Sequence, residues 1–232
     1  MTAVEHWKNS SSVSAYDRVV GHEKTARIAA RLLWGTRLKK WYDQIRSLNE
    51  DARGKTVLDV PCGGGVTFRG LTGLPAEEID YVAVDISNVM LDRARDEARK
   101  RGLTGITFTQ ASVEQLPFPD MSFDMCLTYN GLHCFPDPVA ALTEMTRVLR
   151  SGGRLQGTAI VRGAGRRQDK IIEVNQRLGV FGVTGTYADL EHSLHRAGLA
   201  GIRIERSGAM AFFTATRPMP ESADQVSDGN ER

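Results

Sequence analysis

The stretch Thr56-Val57-Leu58-Asp59-Val60-Pro61-Cys62-Gly63-Gly64-Gly65-Val66-Thr67-Phe68 decides the architecture of this chain. Val57, Leu58 and Val60 form the short apolar run of a strand buried on both faces. Pro61 ends the ladder because it has no backbone N–H to donate. Gly63, Gly64 and Gly65 allow a sharp turn and let bare backbone approach a ligand. The apolar residues that follow predict a helix start, whose free N–H groups and positive dipole end favour a carboxylate or phosphate. Strand, glycine turn and helix make a nucleotide-type cradle. Asp59, at the strand end, offers it a carboxylate for an ammonium group or for loop N–H groups.

Outward from the cradle the chain alternates. Strands are expected at Ile79–Ile86, Ile106–Gln110, Phe123–Tyr129 and Arg154–Val161. Helices are expected at Asn88–Arg101, stopped by Gly102, and at Asp137–Arg150, stopped by Gly152-Gly153. Such β-α-β alternation implies a doubly wound α/β fold, a parallel sheet with helices on both faces and right-handed crossovers. A last helix, Asp189–Ala197, precedes a hairpin-like pair of strands at Gly201–Glu205 and Ala209–Thr216. Arg162–Phe181 breaks the rhythm. It predicts a short inserted helix through Ile171, Ile172, Val174 and Leu178, at the sheet edge where such insertions build a substrate side.

Before the cradle, residues 1–14 are polar and Ser-rich, and Glu23–Leu48 repeats apolar residues at helical spacing, divided at Gly35. The cations of that region suit a solvated helix face, a cap over a ligand pocket, or a surface skimming a membrane. The expected organisation is a helical cap segment over 1–48, a catalytic domain over 49–217 and a disordered tail over 218–232. With 232 residues, 41% hydrophobic and 25% charged, the chain has the make-up of a globular protein. A net charge of +2 gives no reason to expect nucleic acid as a partner. The three cysteines show no metal-ligand spacing, so no metal is expected and the thiols read as reduced and cytoplasmic. No apolar run nears the roughly 20 residues of a membrane span.

At Leu58, Asp59, Cys62, Gly63 and Gly65 the sequence resembles the first motif of class I S-adenosylmethionine-dependent methyltransferases, with Pro61 in place of that motif's first glycine. Ala111-Ser112-Val113-Glu114-Gln115-Leu116-Pro117-Phe118, Gly131-Leu132-His133-Cys134-Phe135-Pro136-Asp137 and Glu144-x-x-Arg147-Val148-Leu149-x-x-Gly152-Gly153 resemble, in order, motifs of the UbiE-like group, methyltransferase type 11. The resemblance covers about Val57 to Val161. It implies a Rossmann-like, mostly parallel seven-stranded sheet with a terminal antiparallel strand. It also implies S-adenosylmethionine as cofactor, S-adenosylhomocysteine as product, and a small, partly apolar acceptor of methyl. Dinucleotide folds share the glycine cradle, but Phe68 stands where their third glycine falls. A nicotinamide-dependent oxidoreductase and a catalytically silent nucleotide-binding protein are the alternatives.

Asp85 closes the second strand about twenty residues after the turn, where a carboxylate takes both ribose hydroxyls of an adenosine group. Its other reading is a local cap, with Ser87, on the next helix. Ser112 stands where the family commonly has the Asp that bonds the adenine amino group, so Ile86, Met90 and Val113 are expected to hold the base by apolar contact. Cys62, Gly63, Gly65 and Asn130 complete the expected cofactor set. His133, beyond the fourth strand, is the candidate base for an acceptor that must lose a proton, and a packing or capping role fits it as well. Tyr16 and His22 enter the substrate site if their segment folds over it. Arg166, with Arg162, Arg167 and Lys170, suits an acidic acceptor or simply a soluble surface.

Overall fold

The computed structural model describes residues 23–78 and 80–220. Helices α1 (Glu23–Trp34) and α2 (Lys39–Asp51) come first, separated at Gly35, whose φ of +66° suits glycine. Then follow β1 (Thr56–Asp59), β2 (Asp80–Asp85), α3 (Asn88–Lys100), β3 (Ile106–Gln110) and β4 (Phe123–Tyr129). The chain closes with α4 (Pro138–Val148), β5 (Leu149–Ile160), α5 (Arg166–Arg177), α6 (Tyr187–Arg196), β6 (Ala200–Ser207) and β7 (Met210–Thr216). Seven strands form one sheet in the order β3-β2-β1-β4-β5-β7-β6. All neighbouring pairs are parallel except those of β7, which runs antiparallel to both β5 and β6. The order reverses at β1, between β2 and β4, and a ligand crevice in an open α/β sheet lies at such a switch point.

Alternation along the central strands divides the core. Val57, Met125 and Leu127 face the side covered by α2 and α3, where Trp41, Ile45 and Leu91 are buried. Leu58, Val60 and Cys126 face the opposite side, against Leu142 and Met145 of α4 and Leu194 of α6. A period of two in a strand buried on both faces gives this two-sided filling.

Three expectations change. The residues after the glycine turn do not start an α-helix. Val66–Gly70 is a five-residue 3₁₀ segment, because Thr67 and Phe68 are drawn under the turn and α2 closes over its end. A Cβ on Gly65 would lie 2.5 Å from the Phe68 ring, and one on Gly70 only 1.8 Å from the Ile45 carbonyl oxygen. Secondly, β5 begins at Leu149 rather than Arg154; the amides of Met121 and Ser122 donate to Arg147 and Val148, and the Arg217 guanidinium binds the carbonyls of Thr146, Arg147 and Leu149. The inserted helix, finally, starts five residues earlier than its apolar pattern, at Arg166.

The motif Glu144-x-x-Arg147 works as a fastener. Arg147 pairs with Glu144 and Asp120 at 2.7 Å each and binds the carbonyls of Leu116 and Phe118. Glu144 in turn accepts the Leu116 amide at 2.9 Å. These bonds tie the loop after β3 to α4 and so fix the position of Ser112 and Val113.

Replacing Gly70 by Ala drives a methyl group into the α2 backbone, and overpacking of this kind costs about 1–3 kcal/mol. Urea denaturation of Gly70→Ala is expected to show a lowered midpoint with an unchanged slope. An unchanged midpoint would mean that α2 does not press on the 3₁₀ segment.

Candidate functional site

A cavity of about 1070 Å³ opens at the carboxyl ends of β1, β2 and β4. One wall is Val60–Gly64, the end of β2 at Asp85 and Ile86, Met90 of α3, and the loop Ala111–Glu114. The facing wall comes from Ala26, Ala30 and Leu33 of α1, Leu38 and Trp41 near the start of α2, and Ile171 and Asn175 of α5. Gly63 has φ +52° and nothing within 4 Å of where a Cβ would stand, so its bare backbone faces open space.

Two buried carboxylates form the polar floor. Asp59 is 1% exposed, and its Oδ2 accepts from Thr67 Oγ1 at 2.6 Å and from Tyr81 Oη at 2.9 Å. Its Oδ1 is buried with no partner among the described residues. Burial pushes the Asp59 carboxyl up to about 7, opposed by those two hydroxyls and aided by the charge of Asp85. Asp85 accepts the Gly63 amide at 3.0 Å and the Ser87 amide at 2.9 Å, and burial raises it to about 6. Thus both readings of Asp85 hold locally. It caps the entry to α3 and also lines the cavity, since each oxygen keeps a lone pair beyond those bonds.

The other wall is apolar and aromatic. Trp34 stacks on Phe181 with centroids 5.9 Å apart, and Phe181 meets the His133 ring edge-on at 4.5 Å. His133 lines the cavity. Its Nδ1 accepts the Ile160 amide at 3.3 Å, which leaves the proton of the neutral ring on Nε2, and burial lowers its pKa to about 3. Trp41 Nε1–H is a buried donor without a partner among the described residues. Asn130, at φ +57°, accepts from Thr158 Oγ1 through its side-chain oxygen at 3.0 Å.

Residues 58–156 match the family described as a methyltransferase domain. This segment is similar to a methyltransferase domain. Over 105 residues the chain is 41% identical to a ubiquinone/menaquinone biosynthesis C-methyltransferase UbiE of Serratia proteamaculans, spanning 44% of this chain and 41% of that protein. It is 37% identical over 105 residues to a fatty-acid O-methyltransferase of Mycolicibacterium smegmatis, spanning 44% and 36% of the two. The chain therefore spans about two fifths of the length of the curated relatives it matches. The fold is shared with a methyltransferase structure from Bacillus halodurans, at TM-score 0.63 and 19% identity, over 76% of this chain and 100% of that one.

The residues present fit S-adenosylmethionine, the cofactor expected from the motifs. The unpartnered Asp59 Oδ1 suits the ammonium of an amino-acid tail, and Asp85 a pair of ribose hydroxyls. Ile86, Met90, Ser112 and Val113 all line the cavity, as do Cys62, Gly63 and Asn130. Gly65 does not. Its place is fixed by φ +78° and by the Phe68 ring, so it shapes the turn rather than touching a ligand. Arg166 does not line the cavity either; it is exposed at the start of α5, and that helix faces the space with Ile171 and Asn175 instead. Tyr16 and His22 lie outside the described residues. Among the described residues no group of three or more His, Cys, Asp or Glu could hold a metal, and no helix is long and apolar enough to cross a membrane.

Sequence reading missed Thr67, Tyr81, Trp34, Trp41 and Phe181, whereas Gly64 lines the cavity as the glycine turn implied. Thr67 and Tyr81 carried one signal, hydroxyls in segments that must be buried and hence need partners. Trp41 gave none, because an aromatic on the apolar face of a helix reads as core.

Removing the Asp85 carboxylate by Asp85→Ala is expected to weaken S-adenosylhomocysteine by roughly 1.5–3 kcal/mol, the worth of bonds to a charged group. Unchanged affinity in calorimetry would take Asp85 out of the site. Affinity also depends on pH. Both carboxyls must be ionised to hold their partners, so binding is strongest above pH 7 and weakens as pH falls through about 7 and then about 6. Calorimetry in buffers of different ionisation enthalpy should show proton release near pH 7, and Asp59→Asn should abolish most of it.

Proposed function

We propose that the chain transfers a methyl group from S-adenosylmethionine to a small, largely apolar, ring- or chain-bearing acceptor. One observation carries this reading: a single cavity with two buried carboxylates on one wall and the Trp34–Phe181–His133 cluster on the other. At about 1070 Å³ it stands at the top of the roughly 300–1,000 Å³ range of single-ligand pockets, so a second molecule fits beside the cofactor. A fatty acid, named in one relative's activity, is an acceptor of the kind such a wall suits.

The sulfonium supplies an activated methyl group, so the chain's own residues have to bind, align and keep water out. Asp59 and Asp85 hold the two polar ends of the donor, while Ile86, Met90 and Val113 grip the base and Ser112 offers it a hydroxyl. The aromatic cluster presses an acceptor atom in line with the methyl carbon, and alignment of this kind supplies about 7–11 kcal/mol in the best cases. We assign His133 a positioning role: with Nδ1 occupied and its pKa near 3, it presents Nε2–H as a donor to an oxygen of the acceptor. The helices α1 and α2 act as the cap over this acceptor wall.

The test is incubation of the purified protein with cell extract and methyl-labelled S-adenosylmethionine, followed by mass spectrometry. Label is expected in an organic-extractable metabolite. With that acceptor, Phe181→Leu should raise KM about 2- to 10-fold, the worth of an aromatic pair, and leave cofactor affinity alone. Cofactor binding without transfer into any fraction would establish the catalytically silent reading instead.

A further inference from the structure

The helices α1 and α5 line the cavity with their inner faces, through Ala26, Ala29 and Ala30 on one and Ile171 and Asn175 on the other. They pack on one another, and the end of α1 meets the start of α5, where a Cβ on Gly35 would lie 3.6 Å from Gln168 Nε2. Their outer faces are unusual. Ile28 and Leu32, one turn apart on α1, are 62% and 56% exposed; Val174 on α5 and Leu178 at its end are 43% and 64% exposed. Large apolar side chains grouped on adjacent helices mark an interaction surface, whereas scattered ones need no explanation.

Charge shows what kind. Together the two helices carry a net +4, although the whole chain carries only +2. Lys24, Arg31, Arg166 and Arg167 are exposed and form no ion pair among the described residues. Three others are engaged: Arg27 lies over the Tyr42 ring, and Lys170 and Arg177 share Glu173. On α3 the pattern is the reverse. There Arg95 and Arg99 pair with Asp92 and Asp96, and Arg101 just past the helix end pairs with Glu97, as cations on a merely solvated helix do. Unneutralised cations flanking exposed apolar side chains on helices at a cavity rim match an anionic bilayer, where the apolar groups enter the headgroup boundary and the cations meet lipid phosphates.

We infer that the outer faces of α1 and α5 dock on an anionic lipid surface and place the cavity rim against it, so that a lipophilic acceptor reaches the cavity from the bilayer. The acceptor clause rests on the proposed methyl transfer; the docking itself does not, and it is read without any turnover. Co-sedimentation of the full chain with vesicles of phosphatidylglycerol and phosphatidylcholine, against phosphatidylcholine alone, gives the measurement. Binding is expected only to the anionic vesicles and should fade as salt rises. Ile28→Asp with Leu32→Asp, and separately Arg31→Glu with Arg167→Glu, should each weaken partitioning about tenfold or more, given about 1 kcal/mol per basic residue at such a surface. These residues are exposed, so folding is expected to survive, and circular dichroism checks it. Arg95→Glu with Arg99→Glu on α3 should bind like the parent. Equal binding by all variants, or none by the parent, overturns the inference. So does a concentration-dependent dimer that the Ile28 and Leu32 changes abolish, since the face would then belong to a second copy.

Discussion

The hydrogen bond from the Gly63 amide to Asp85 joins the turn after β1 to the end of β2, and the cavity depends on that junction. It holds a positive-φ glycine against the neighbouring strand, leaves open space where a side chain would stand, and sets Asp85 beside it. Parallel strands end at one edge, so side chains from consecutive units converge there although they are far apart in sequence. The glycine turn supplies backbone and the strand ends supply charge.

Burying two carboxylates so near each other is costly, and the raised pKa values of Asp59 and Asp85 register that cost. Thr67 and Tyr81 relieve it for one oxygen of Asp59 only. A cationic, hydroxyl-bearing ligand would complete what the protein leaves unfinished, so these groups suit the charged amino-acid tail and sugar of the proposed donor better than an apolar molecule. The opposite wall, built from Trp34, Phe181 and a His133 held neutral, suits the reverse. One cavity with two unlike walls is suited to bringing a polar donor and an apolar acceptor together.

Much of this was legible in the residues. Short apolar runs ended by Gly or Pro marked strands, 3.6-residue spacing marked helices, and the antiparallel β6–β7 pair followed from its alternation. Asp59, Asp85, Gly63 and the Ile86, Met90 and Val113 lining of the cavity were legible because each sits next to a strand end or turn that the sequence itself announces. Gly65 and Arg166 misled for a shared reason. Their residue types fit a ligand role, but packing on Phe68 claims the first and the orientation of α5 leaves the second in solvent.

The sequence by itself determined the alternation of strands and helices, the glycine turn and the acidic strand ends, since these depend on local backbone preference and periodic burial. Only the tertiary structure decided that the segment after the turn is a 3₁₀ piece pinned by α2, that Trp34, Phe181 and His133 form one wall, and that Asp59 keeps an unsatisfied oxygen. Those outcomes arise from contacts between segments distant along the chain, and no local preference specifies which distant atoms meet.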